Sequence, residues 1–421
     1  MTLPPGPRLP SVLQTVGWVA RPGPWLERLR ARHGDVFSLR IAHEGTWVML
    51  SDPAAVKQVF TGDPSLLHAG EANVVLRPML GRSSVLLLDE APHMAQRKLL
   101  LPAFHGERMQ AYAELIADTA EREVASWPVG EPLAMRPRMQ RLTLEVVMRA
   151  IFGTRDERLR AALAAMLDWT TDPARMLLMV LMGPDRAERM RLFGRALAPV
   201  DELLRAEIAR RRTAGARGED VLSLMLEARH EDGSPMRDGE IRDELLTLLV
   251  AGHETTATAL AWALERLARH PAAWERLRDA DDDAWLDAVA KETLRLRPVL
   301  PIVLRKLQAP MEIGGWALPA GVSVAPCIHL VHRRPDVYPD PHAFRPERFL
   351  ERPAGTYTWI PFGGGVRRCL GASFALFEMK VVLRAIAARV ARLVPDAPPS
   401  ERVTRRAITL VPARGGRVVV A

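Results

Sequence analysis

Residues 362–371 read Phe-Gly-Gly-Gly-Val-Arg-Arg-Cys-Leu-Gly, and their reading decides the fold. Beyond Leu370 the apolar residues Phe374, Phe377, Met379, Val382 and Ile386 keep the spacing of an amphipathic helix. Cys369 therefore sits between a glycine-rich loop and a helix N-terminus. That position offers free backbone N–H groups and the positive end of the helix dipole, which favour thiolate over thiol. A soft anionic sulfur in a glycine cradle suits a haem iron as axial donor, and glycines let the backbone approach a flat porphyrin. On this stretch alone, a small buried cysteine after a tight turn is an equally open account.

Working outward, residues 238–269 form a long helical pattern that is apolar nearly all round, which predicts a helix through the interior. Its middle reads Ala-Gly-His-Glu-Thr-Thr (251–256). Gly252 costs a helix about 1 kcal/mol against Ala, and Glu254 is expensive to bury, so both call for a reason. A zinc-protease HExxH reading of His253-Glu254 fails because residue 257 is Ala. Thr255 has a plain structural alternative, a bond back to its own helix. Glu292 and Arg295 stand i, i+3 on one helix face and His93 and Arg97 i, i+4 on another, spacings that allow joint action.

The remaining arithmetic is permissive. The chain has 421 residues, a net charge of +8 and five Lys against 53 Arg. The Arg residues are dispersed and interleaved with acids, without a nucleic-acid-binding motif, so nucleic acid is not expected as a partner. Two cysteines, Cys327 and Cys369, exclude a disulfide framework and point to a reducing cytoplasm. No apolar run reaches 18 residues, and the N-terminal Val-Leu-Gln-Thr-Val-Gly-Trp-Val-Ala (12–20) is broken by Gln14 and Thr15 and flanked by Arg8 and Arg21, so no membrane anchor is expected. Periodicity predicts a β-hairpin over 36–50, helices near 93–126, 138–152, 156–170, 187–213, 238–269, 271–279 and 284–297, and strands around 311–325 and at the C-terminus, where AITLVP and RVVV flank a turn. A Pro-rich passage, 333–368, has little periodicity. The breaks are short, so one mainly helical domain over 1–421 is expected.

The pattern Phe362, Gly365, Arg367, Cys369, Gly371 resembles the haem-binding loop of the cytochrome P450 family of haem-thiolate monooxygenases, and the Ala-Gly-x-Glu-Thr-Thr motif resembles that family's central helix. The resemblance spans nearly the whole chain. It implies a mainly α, triangular helical prism with small β-sheets, binding haem b between the central helix and the Cys369 helix. Cys369 becomes the axial iron ligand. Thr255 would hydrogen-bond dioxygen, Glu254 would relay protons, and Gly252 would leave room where the helix opens. Glu292, Arg295 and Arg348, the last in Ala-Phe-Arg-Pro-Glu-Arg-Phe (343–349), match the family's structural charge triad. His93, Arg97, Arg305 and Arg367 match its haem-propionate partners. One departure is His-Arg-Arg-Pro at 332–335, where His-Arg-Asp-Pro is common, which leaves that loop's pairing open.

The resemblance further implies oxygen insertion from O2 using electrons from a separate ferredoxin and its reductase, since no dinucleotide or flavin motif is present. The Pro-Pro-Gly-Pro at 4–7 is similar to the soluble bacterial type, expected as a cytoplasmic monomer. Pocket candidates by position are Leu86, Leu87, Met176, Met179, Leu248, Ala251, Val299, Ile302, Val303 and Ile408, all apolar, favouring a terpenoid, fatty acid or steroid-like substrate. The alternatives are a peroxide-driven peroxygenase, a haem-thiolate isomerase and a non-enzymatic haem sensor.

Overall fold

The computed structural model describes residues 3–104, 108–153, 156–170, 172, 175, 178, 182–183, 185–186, 191–215, 218–279, 282–396 and 400–421. Among the described residues, thirteen helices of a turn and a half or more are numbered in chain order: α1 (Ser11–Ala20), α2 (Pro22–His33), α3 (Pro53–Thr61), α4 (Glu90–Leu100), α5 (Arg108–Ala125), α6 (Met135–Phe152), α7 (Glu157–Thr170), α8 (Arg191–Ala214), α9 (Val221–Glu227), α10 (Asp238–Ala268), α11 (Pro271–Asp279), α12 (Asp283–Leu296) and α13 (Ala372–Arg389).

The 31-residue α10 is the axis. It opens with a capping box in which Glu240 accepts from the Arg237 backbone N–H at 2.8 Å. From Ala257 onward it is buried on every side, as its all-round apolar sequence demands. The helices α5, α6, α12 and α13 pack around its C-terminal half in one apolar core. Its N-terminal half packs with α6, α7, α8 and α9 in a second core.

The predicted hairpin is present as β1 (Val36–Ile41) and β2 (Gly45–Leu50), paired antiparallel from Val36↔Leu50 to Ile41↔Gly45. It belongs to a five-stranded sheet in which β1 is an edge, β2 runs parallel to β8 (Ser323–Pro326), and β5 (Arg305–Leu307) and β3 (Leu67–His68) follow. The strand signal at 311–325 resolves into three pieces, β6 (Met311–Ile313), β7 (Trp316–Leu318) and β8, because Gly314 and Gly315 turn the chain at positive φ.

Two expectations are corrected. The helix expected over 93–126 is divided: α4 ends at Leu100, a 3-10 turn covers Leu101–Phe104, and α5 begins at Arg108. Pro102, lacking an N–H, is where the ladder stops. The two C-terminal strands join different sheets. β11 (Thr409–Pro412) pairs with β10 (Val403–Arg406), while β12 (Arg417–Val420) lies between β4 (Pro132–Ala134) and β9 (Leu393–Pro395). Gly415 and Gly416, both at positive φ, redirect the chain, and a Cβ on Gly416 would meet the Ala261 carbonyl at 3.0 Å.

Candidate functional site

The Cys369 loop is shaped by close approach to α3. A Cβ on Gly364 would sit 2.2 Å from the Phe60 ring, and one on Gly365 2.2 Å from the Phe60 carbonyl oxygen. Gly365 also has φ +66°. These two glycines are therefore required by packing against Phe60, whereas a Cβ on Gly371 would touch no other protein atom within 4 Å. The Cys369 N–H donates to the Phe362 carbonyl at 3.0 Å, closing the loop, and the Phe362 ring stands edge-on to Trp359 with centroids 5.9 Å apart.

Cys369 is exposed by area, yet surrounding protein desolvates its sulfur. Burial pushes the thiol above its ordinary range; the Gly371 N–H and the Arg368 and Arg97 guanidiniums pull the other way without offsetting it. This corrects the expectation that the helix start alone favours thiolate. A cationic metal would be the partner that does.

On α10, which packs against α13, Ala251 is exposed and Thr255, one turn on, is half-buried, while His253, Glu254 and Thr256 are buried. The helix is continuous here, contrary to the opened helix that the resemblance implied, and Thr255 Oγ1 donates to the Ala251 carbonyl at 2.6 Å. The nearest protein atom to a Cβ on Gly252 would be Val147 Cγ2 at 3.6 Å, so packing does not demand glycine there. Glu254 turns to α6: its Oε1 accepts from Arg136 Nη2 at 2.6 Å and its Oε2 from Gln140 Nε2 at 2.6 Å. Arg136 and Gln140 escaped the sequence reading, although their i, i+4 spacing was a visible signal. A second unforeseen group is Glu378 on α13, fully buried and without a hydrogen bond of good geometry, with the Thr256 hydroxyl beside it. Burial pushes its carboxyl up to about 8.

Four cationic or donor groups gather at the other edge of the loop. His93, Arg305, Gly364 and Arg367 line one small cavity, together with Phe60 and Val366. Arg97 Nη2 reaches the Arg368 carbonyl at 2.8 Å, beside Cys369. Arg367 binds the Val85 carbonyl at 3.1 Å and also the Leu88 carbonyl and the Asp89 carboxylate. Arg305 is buried and its hydrogen bonds go only to carbonyls, Leu304 at 2.7 Å and Gly364 at 3.5 Å. Burial and the neighbouring Arg367 push its guanidinium down to about 10, and push His93, with burial first, to about 4. A buried cation without a bonded carboxylate is a site waiting for an anion. A planar iron chelate carrying two carboxylates fits these residues: a reachable sulfur on one side, Arg305, Arg97 and His93 for the carboxylates.

Glu292 is fully buried and accepts from Arg295 Nε at 2.7 Å and Nη2 at 2.9 Å, from Arg348 Nε at 3.1 Å and from the Arg345 N–H at 2.8 Å. Arg295 also holds the carbonyls of His332, Pro341 and Ala343, at 2.8, 2.8 and 3.0 Å, so the aperiodic passage before the Cys369 loop hangs on this network. In the variant His-Arg-Arg-Pro loop, Arg334 pairs with Asp336 at 2.8 Å and Asp35 at 2.9 Å.

The pocket candidates do not all converge. Leu86 and Leu248 pack on the same core cluster, which Leu370 also joins. Val303 lies 3.5 Å from where a Gly363 Cβ would be, Ala251 is exposed, Leu87 is half-buried, and Ile408 is exposed in the β10–β11 turn. Val299 is buried in the main core and Ile302 packs with the cluster of α1, α2 and the hairpin, which favours a packing role for both. Met176 and Met179 lie outside the described residues. The segment carrying Leu86 and Leu87 is pinned from two sides. From α10, Asp243 Oδ2 takes the Ser83 N–H at 2.9 Å, Glu244 Oε1 the Val85 N–H at 2.7 Å, and the Thr247 hydroxyl meets that of Ser84 at 2.7 Å. Arg367 holds its carbonyls from the other side.

A family model described as Cytochrome P450 matches residues 4–400. A Mycobacterium tuberculosis protein named putative cytochrome P450 135B1 is 44% identical, the match covering 100% of this chain and 92% of the relative. Putative cytochrome P450 137 of the same organism is 39% identical over 93% of this chain and 84% of its own length. Among solved structures, cyanobacterial CYP120A1 with bound retinoic acid matches with a TM-score of 0.87 at 26% identity, covering 100% of both chains.

Proposed function

Because the chain belongs to the cytochrome P450 family, has its fold and is a haem b monooxygenase, we propose that Cys369 is the axial ligand and that one haem domain spans 1–421. The observation that carries the assignment is an exposed Cys369 with a desolvated sulfur just before α13, together with an exposed Ala251 and half-buried Thr255 on the helix packed against α13.

The haem, when bound, supplies reductive activation of dioxygen and transfer of one oxygen atom to carbon. The chain's own part is to seat it and to manage protons. Arg305, Arg97 and His93 would hold its carboxylates, with Arg367 braced beside them by Asp89. The Phe362–Gly371 loop excludes water from the sulfur. Glu292, Arg295 and Arg348 hold the 333–368 passage that positions this loop. Thr255 releases its hydroxyl from the Ala251 carbonyl to meet dioxygen, and Gly252 leaves space for a water beside it. Glu254 carries a proton inward on the Oε2 that Gln140 now holds, while Arg136 keeps the other carboxylate oxygen in place.

The substrate is lipophilic, in the class of terpenoids, fatty acids and steroids, on the apolar lining offered by Leu86, Leu87, Leu248, Ala251 and Val303. The retinoic acid bound by the structural relative is a ligand of that class. Electrons come from a ferredoxin, and the protein acts as a cytoplasmic monomer. The ferrous carbon monoxide spectrum tests the assignment: the red-shifted thiolate band is expected, and its absence, or its survival in Cys369→Ala, would overturn the ligand. A spin-state screen of a lipophilic library, then turnover with NAD(P)H and a surrogate ferredoxin system against turnover with peroxide, tests substrate class and electron source.

A further inference from the structure

The N-terminal helix α1 is built inside out. β1 is the edge of the five-stranded sheet, and its outward N–H groups need partners. The N-terminal segment supplies them in succession: the Ser38 N–H donates to the Pro5 carbonyl at 2.9 Å, the Arg40 N–H to Gln14 Oε1 at 2.9 Å, and the Ala42 N–H to Thr15 Oγ1 at 2.9 Å. Gln14 and Thr15 are consequently buried, at 1% and 0% exposure. Turning these polar side chains inward rotates Val12, Leu13 and Val16 outward, at 51%, 53% and 45% exposure. Leu9, one turn before Leu13, and Leu3 are exposed beside them in sequence. Of thirteen exposed large apolar side chains among the described residues, five fall within residues 3–16, so this is a patch, not scatter.

The surrounding charge says what covers it. No acidic residue precedes Glu27, while Arg8 and Arg21 flank the helix and are exposed. Arg40 is exposed too, its Nη2 anchored to the Leu9 carbonyl at 3.0 Å. An apolar stripe between exposed cations, with no acid in its own segment, is the composition of a helix lying in the plane of an anionic interface. No described helix is long and apolar enough to cross a membrane, so the contact is peripheral. We propose that α1 docks the protein on an anionic lipid surface, with Leu9, Val12, Leu13 and Val16 entering the headgroup boundary and Arg8, Arg21 and Arg40 meeting lipid phosphates.

The experiment is sedimentation of the full haem-loaded chain with vesicles of phosphatidylcholine alone or mixed with phosphatidylglycerol. Binding to the mixed vesicles is expected, weakened at high salt, and lowered roughly tenfold in Val12→Ser/Leu13→Ser/Val16→Ser. Circular dichroism checks that the variant is folded; should it not be, the salt dependence of the unaltered chain and the single Leu13→Ser variant decide. No binding to mixed vesicles, equal binding to neutral ones, or an unaffected folded variant would each overturn the proposal. So would self-association of the unaltered chain that the variant abolishes without any vesicle binding, which would assign the patch to a second copy.

Discussion

Arg136 meets Glu254 at 2.6 Å across the α6–α10 packing, and Gln140, one turn along α6, holds the other carboxylate oxygen at the same distance. Both oxygens of the proposed proton carrier are therefore occupied by side chains of α6, and a proton moves only when one bond is exchanged. Glu254→Gln is expected to slow steady-state turnover about a hundredfold, the usual worth of a positioned acid or base, with haem content unchanged. Gln140→Leu, which frees Oε2 but keeps the Arg136 pair, should alter the solvent deuterium isotope effect on turnover while leaving substrate affinity intact. Unaltered turnover in Glu254→Gln would remove this residue from the proton path.

Among the described residues, Arg305 is a buried guanidinium bonded to carbonyls alone, and its proposed partner is a haem carboxylate. Arg305→Met is expected to cost a charge-assisted contact of about 1.5–3 kcal/mol, read as haem release to a scavenger protein faster by roughly 10- to 100-fold. Arg367→Met should do more than this, since Arg367 also braces Asp89 and the Val85 and Leu88 carbonyls.

Arg295 makes two bonds to Glu292 and three to backbone carbonyls, a fork that Lys lacks the geometry to reproduce. Arg295→Lys should destabilise the chain by about 3–5 kcal/mol. The carbon monoxide spectrum of the expressed protein should then show little incorporated haem.

Stability should fall as pH rises above about 6.5. Glu244 and Glu378 are pushed by burial up to about 8, so the native chain holds two protons that the unfolded chain releases from near 4.5 upward. Their loss of stability runs from that ordinary value to about 8 and then levels, at up to about 1.4 kcal/mol per pH unit for each group. Below 6.5 the sign is contested: burial lowers His253 and His329 to about 4 and His332 well below its ordinary value, so acid must protonate the unfolded imidazoles first and stability drops again. Urea unfolding between pH 6.5 and 8 should show the decline, and Glu378→Gln should reduce its slope by about half.

The sequence announced groups whose chemistry is local. Cys369 with its glycines, the Glu292–Arg295 spacing and the mid-helix Gly252 to Thr255 are each conspicuous within a few residues of chain. It concealed what depends on distant partners. Arg136 is one of 53 Arg residues, and beyond its i, i+4 spacing to Gln140 it is the packing of α6 on α10 that singles it out. The fate of β12 and the raised Cys369 thiol depend on tertiary pairing and desolvation, which periodicity does not encode. Glu378 lay between these cases: a lone acid in Phe374–Ile386 was visible, but its isolation was not.

The segment from Ser83 to Leu88 hangs between Asp243, Glu244 and Thr247 on one side and Arg367 on the other. Arg367 belongs to the Cys369 loop, so the same guanidinium that is proposed to brace the cofactor's edge also holds the segment that carries Leu86 and Leu87. The proposed cofactor edge and the placement of Leu86 and Leu87 thereby share one guanidinium, and a substitution at Arg367 reaches both.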